Sequence, residues 1–193
     1  MKKSLLVALP SVAFVVAVAC TQAPPPPAPA TPAQTPVQRG AYIVAAGGCN
    51  DCHTPWQIGA SGQPEPDMTR ALSGHPENMK MGAPPKVDPA SGWLWGGAGS
   101  NTAFYGPWGI SYAANLTSDQ NTGLGIWTED MFIRAIREGK HMGTSRPILP
   151  PMPWPAFRNY NDDDLKAIFA YLKTVPAISN HVPDPVIAEE PKK

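Results

Sequence analysis

Charge is what this chain has least of. Only 16% of its 193 residues are Asp, Glu, Lys or Arg, and the two signs balance at 15 each; soluble domains carry roughly 25%. That excludes a basic nucleic-acid-binding domain and a chain kept disordered by its own charge, and it implies no strong electrostatic partner. Cysteine is scarce as well: Cys20, Cys49 and Cys52 are the three present, and the absence of a second closely spaced pair weighs against a zinc site. No apolar run is long either. The longest, Leu5 to Ala19, is 15 residues, short of the roughly 18 needed to cross a bilayer comfortably. What the chain does have is 17 glycines and 25 prolines, a loop-rich composition without the period of collagen, a repeat protein or a coiled coil.

The N-terminus follows an export pattern. Lys2 and Lys3 precede the apolar run, which Pro10 interrupts, and Ala17, Val18 and Ala19 stand before Cys20. Residues 1–19 read as a signal peptide, whose removal leaves the remainder slightly acidic. A cysteine at the first position after small residues resembles the bacterial lipoprotein cleavage box, in which that thiol is acylated. The box usually has Leu where this chain has Ala17. Cys20 is thus expected to carry lipid, with plain secretion or an uncleaved anchor as the alternatives. Residues 20–37 follow as a linker rich in Pro and Ala, without charge up to Val37, expected to be a semi-rigid polyproline spacer from a membrane surface.

Cys49 and Cys52 fall in Gly-Gly-Cys-Asn-Asp-Cys-His-Thr. This is C-x-x-C-H, the attachment signature of a c-type haem. Two thiols three residues apart reach the two vinyl groups of one porphyrin, and the imidazole of His53 follows at once to meet the iron. A small-loop disulfide or redox C-x-x-C pair is the bland alternative. An electron-carrying haem needs a second axial ligand, and a Met thioether raises the potential by favouring reduced iron. Met152 lies in Ile-Leu-Pro-Pro-Met-Pro-Trp-Pro, where the prolines fix φ and stiffen the loop. Met142, Met79 and Met81 are its rivals, and His75, His141 and His181 are other possible ligands.

Three helices are expected. Gln38 to Ala46 reads as one, with Tyr42 and Ala45 or Ala46 on one face and Gly47-Gly48 ending it. A second starts at Thr128, runs through Met131, Phe132, Ala135 and Ile136, and stops at Gly139. A third has Asn161 as N-cap and Asp162, Asp163 and Asp164 in its first turn. Leu165, Ile168, Phe169 and Leu172 follow at helical spacing. Residues 54–127 lack clear periodicity but hold Trp56, Trp93, Trp95, Tyr105, Trp108, Tyr112 and Trp127. That content argues against disorder, and the stretch reads as a wrap over the haem with room for a short hairpin near Trp93 to Tyr105.

The segments from Arg39 to Trp56, Phe104 to Met142 and Arg146 to Ile178 together resemble the class I cytochrome c domains, in particular those of periplasmic subunits of bacterial alcohol and gluconate dehydrogenases. The resemblance implies an all-α, class I cytochrome c fold over residues 38–180, carrying a long Gly/Pro/aromatic-rich loop insertion around the haem, with residues 181–193 as an exposed tail. It implies one covalent haem c on Cys49 and Cys52, iron ligated by His53 and Met152, and Tyr42 packed with Tyr171 near the haem. Asn115 and Leu116 would lie in the pocket wall. Those subunits often carry three haem motifs and a C-terminal membrane helix. This chain has one motif and a polar tail.

The expected function is one-electron transfer without substrate chemistry. The carrier would be periplasmic and held to the membrane by its lipid, with a dehydrogenase as donor, a cytochrome or oxidase as acceptor and no nucleic acid. A haem-based ligand-binding or sensor module, or an electron-transfer subunit of a larger oxidoreductase complex, is the alternative.

Overall fold

The computed structural model describes residues 33–188. The expected signal peptide, the Cys20 lipidation site and most of the spacer lie outside the described residues. Helix α1 (Pro36–Ala46) starts with Pro36 in its first turn, where a missing N–H costs nothing. Its entry is locked by reciprocal bonds: Gln38 N–H donates to Thr35 Oγ1, and Thr35 N–H donates to Gln38 Oε1. α2 is the short Cys49–His53 turn. α3 (Glu129–Glu138) begins at Thr128, whose hydroxyl accepts from Met131 N–H, and α4 (Trp154–Phe157) follows the proline-rich loop. α5 (Asp162–Leu172) starts at Asn161, which accepts from Asp164 N–H at 2.7 Å.

α1 and α5 cross with almost no gap. A Cβ at Gly40 would lie 1.9 Å from the Ala167 carbonyl oxygen and 2.8 Å from Tyr171 Cβ. The buried face of α1 is therefore Gly40, Ile43 and Val44, and the expected face built on Tyr42 and Ala45 or Ala46 is instead exposed. Ile43 and Val44 pack with Leu165, Ile168, Phe169 and Leu172 of α5 and with Phe132 and Ile136 of α3. Phe132 stacks on Phe169 at 5.4 Å. The Arg39 guanidinium clasps Asp164 at 2.8 Å across the same crossing.

The all-α expectation is overturned by the segment between α2 and α3. Six strands form two sheets among the described residues. β1 (Trp56–Ile58) and β2 (Pro64–Pro66) make an antiparallel pair. β3 (Gly96–Gly97), β4 (Ala103–Gly106), β5 (Gly109–Tyr112) and β6 (Val186–Ile187) make a four-stranded antiparallel sheet in that order. The physical reason is that a long chain packed beside a core must pair its backbone polar groups, and aromatic and β-branched residues between glycines favour the pleated solution. The β3–β4 pairing falls within the region where a short hairpin is expected. β4 and β5 turn at Pro107-Trp108, with Gly106 opposite Gly109. Gly109 has φ +104°, and a Cβ there would meet the Val186 carbonyl at 1.9 Å, so β6 docks only on glycine. Within the tail, the backbone of Val186 and Ile187 joins the sheet while their side chains stay exposed.

Candidate functional site

α2 presents Cys49, Cys52 and His53 within one short turn, entered through Gly48 at φ +68°. The two cysteines form no disulfide. Burial pushes the Cys49 thiol up to about 11, and burial followed by the charge of Asp51 raises Cys52 as well. A redox pair needs a readily formed thiolate, so this environment opposes that alternative. Among the described residues no group of three or more His, Cys, Asp or Glu side chains is placed to hold a metal ion, which opposes zinc.

His53 is buried, and its Nδ1 lies 2.7 Å from the Ala114 carbonyl oxygen. A carbonyl only accepts, so Nδ1 carries the proton and Nε2 presents its lone pair. Burial pushes the imidazole below its ordinary pKa, against a smaller upward pull from the Ala114 carbonyl. A neutral ring of fixed tautomer is what a metal-ligating histidine requires. Nε2 makes no hydrogen bond among the described residues. His53 is anchored on its other side too, because its carbonyl accepts from Gly74 N–H at 2.7 Å.

Met152 is half-buried and packs against the same hydrophobic cluster as Cys49, Leu116, Trp127 and Tyr171. Of its rivals, Met79 and Met81 are less sheltered, 38% and 39% exposed, whereas Met142 is half-buried like Met152. Tyr42, expected to pack with Tyr171 near the haem, is 59% exposed and lies beneath the Arg39 guanidinium. The donor set therefore fits a covalently attached haem: two free thiols, an oriented imidazole with an unpartnered Nε2, and apolar neighbours that include a thioether. Two cavities of about 480 and 220 Å³ lie along the inserted sheet instead, and neither is lined by Cys49, Cys52, His53 or Met152.

His75 serves the scaffold with both ring nitrogens. Nε2 donates to the Met79 carbonyl at 2.9 Å, which leaves Nδ1 to accept the Thr102 hydroxyl at 2.9 Å, and Thr102 in turn accepts from Ser100. Burial lowers its pKa, as do Arg70 and Lys80, against the upward pull of the Met79 carbonyl. As pH falls below about 6.5 the unfolded chain takes up a proton that folded His75 resists, so its contribution is complete above that pH and declines below it. The thermal midpoint is expected to drop between pH 7 and pH 5, and to drop less in His75→Gln. Equal drops in thermal melts of the two proteins would contradict this role.

Two buried asparagines tie the surroundings together: Asn115, which the resemblance sets in the pocket wall, and Asn180, which no sequence pattern marks. Asn115 donates to the Ile178 carbonyl at 2.8 Å and accepts from the Thr117 hydroxyl at 2.7 Å. Asn180 donates to the Ser73 and His75 carbonyls at 2.7 and 2.9 Å and accepts from Glu77 N–H. Together they fix the strand of chain on which Ala114 meets His53.

No protein-family model matches the chain. A nicotinate dehydrogenase subunit of Pseudomonas putida is 31% identical over 147 residues, 76% of this chain and 9% of that protein. The fructose dehydrogenase cytochrome subunit of Gluconobacter japonicus is 27% identical over 151 residues, 78% of this chain and 24% of that protein. The gluconate 2-dehydrogenase cytochrome c subunit of Pantoea cypripedii is 29% identical over 135 residues, 70% of this chain and 22% of that protein. The chain spans about a quarter or less of the length of these curated relatives. It is a homologue of the cytochrome c subunits of bacterial dehydrogenases, and the arrangement around Cys49, Cys52 and His53 is consistent with a cytochrome c domain.

Proposed function

We propose that this chain is an electron-transfer component of a bacterial oxidoreductase system, holding one haem c. Cys49 and Cys52 would hold the porphyrin through thioether bonds, each formed by adding a thiol S–H across a vinyl group with no oxidant needed, and His53 Nε2 and Met152 Sδ would ligate the iron. When bound, the haem supplies a one-electron ferrous–ferric couple. The chain's own part would be to keep His53 neutral and aimed, to offer a soft thioether as second ligand and to exclude water from both. The observation that carries the reading is the Nδ1–H bond from His53 to the Ala114 carbonyl, which leaves the Nε2 lone pair available for a ligand.

Electrons would come from a dehydrogenase, the association that the relatives' names describe, and would pass to a cytochrome or oxidase acceptor. The site would face the periplasm, held at the membrane through lipid on Cys20, a reading supported by the export pattern before that residue. No helix of the described residues is long and apolar enough to cross a membrane.

The test is visible spectroscopy of the full chain made in a host with c-type haem maturation. Sharp reduced c-type bands, a weak far-red band in the ferric protein and resistance to carbon monoxide are expected. Covalent haem that binds carbon monoxide readily and lacks the far-red band would overturn Met152 ligation and favour a ligand-binding module.

A further inference from the structure

The segment that carries Met152 has few means of holding itself. Pro150, Pro151 and Pro153 lack an N–H. Among the described residues, the groups of Leu149 to Met152 make one hydrogen bond: the Pro150 carbonyl accepts from the Ser111 hydroxyl at 2.5 Å. Ser111 belongs to β5 and is buried. Its oxygen also accepts from the Trp108 indole N–H at 3.3 Å, which leaves the hydroxyl proton free to point at Pro150. The indole is itself wedged, over Gly106 on one side and 6.5 Å from the Trp95 ring on another. β5 is paired on both edges, by β4 and by β6, so the donor stands on a fixed platform. Met152 lies two residues beyond the anchored carbonyl, and the fixed φ of Pro151 and Pro153 leaves the chain between them few ways to turn.

We propose that Ser111 is a positioning residue for the Met152 ligand, so that the inserted sheet braces the distal side of the haem site through this one hydroxyl. The proposal rests on the reading of Met152 as the axial ligand. Without the hydroxyl, conformers in which Met152 has swung off the iron gain population in proportion to the lost bond. An external ligand for ferric iron then competes more effectively for the vacated position.

The experiment titrates the ferric holoprotein with imidazole while following the far-red band. Ser111→Ala is expected to bind imidazole roughly fivefold more tightly, the worth of about one net hydrogen bond, and Ser111→Thr, which keeps the hydroxyl, is expected to stay near the wild type. A role confined to general stability would lower the melting temperature and leave imidazole affinity alone, and that result overturns the proposal. If Ser111→Ala yields no folded protein, Trp108→Phe removes the indole donor and is expected to shift affinity in the same direction by roughly twofold; no shift there also overturns it. A wild type without the far-red band would overturn Met152 ligation itself, which separates that failure from a failure of the brace.

Discussion

Alanine at Gly40 is expected to lower the melting temperature by about 10 °C. The added Cβ would sit 1.9 Å from the Ala167 carbonyl oxygen, 2.5 Å from its carbon and 2.8 Å from Tyr171 Cβ. Two of these atoms are backbone and the third is rooted on it, so no side chain can swing aside and α1 must move away from α5. Overpacking of this kind costs about 3 kcal/mol or more. The better helix propensity of alanine returns only about 1 kcal/mol. Separation also loosens Ile43 and Val44 from Leu165, Ile168 and Phe169, which adds lost apolar burial to the clash. At about 2–4 °C per kcal/mol for a chain of this size, a net cost of about 3 kcal/mol gives the stated shift. Scanning calorimetry of the holoprotein measures it. Gly82→Ala, where nothing lies within 4 Å of the new Cβ, should melt with the wild type, and a Gly40→Ala protein that melts with both would show that the helices do not cross this tightly.

Removing the thioether of Met152 has the second large effect. Met152→Ala should keep the covalent haem, because Cys49, Cys52 and His53 are untouched. It should lose the ferric far-red band, bind carbon monoxide and fall in midpoint potential by on the order of 0.1 V, within the roughly 0.8 V that axial ligation spans. The sign follows from ligand chemistry: a soft thioether favours ferrous iron, and the water that replaces it favours ferric iron. Potentiometric titration reads the shift. An unchanged potential and an unchanged far-red band would assign the sixth position to another residue.

What can be read from the residues alone follows from where periodic signals exist. α5 is legible throughout, since Asn161 is an N-cap, three aspartates suit the first turn and Leu165, Ile168, Phe169 and Leu172 are all buried as their spacing implies. The Cys49, Cys52 and His53 cluster is legible because its spacing is itself chemical. The face of α1 misleads because the residue that makes the contact is Gly40, which has no side chain to register as apolar. Apart from the hairpin expected near Trp93 to Tyr105, the strands escape notice for a different reason: at two to four residues, two of them Gly-Gly and Val-Ile, they are too short to show alternation. Ser111 cannot be found at all, because one serine in a strand looks like any other until the Pro150 carbonyl is placed opposite it. Ala114 is equally invisible, contributing only its backbone oxygen.

The crossing of α1 and α5 also sets an order in time. The Arg39–Asp164 contact spans 125 residues of chain, so this part of the core cannot close until nearly all of the domain has been made. Closure over such a length is a slow, late event compared with forming a local helix. Through that interval the Cys-Asn-Asp-Cys-His turn, synthesised early, has no α5 to pack against. Cys49, which the folded protein holds half-buried against its core, is more open to covalent chemistry before α1 and α5 close.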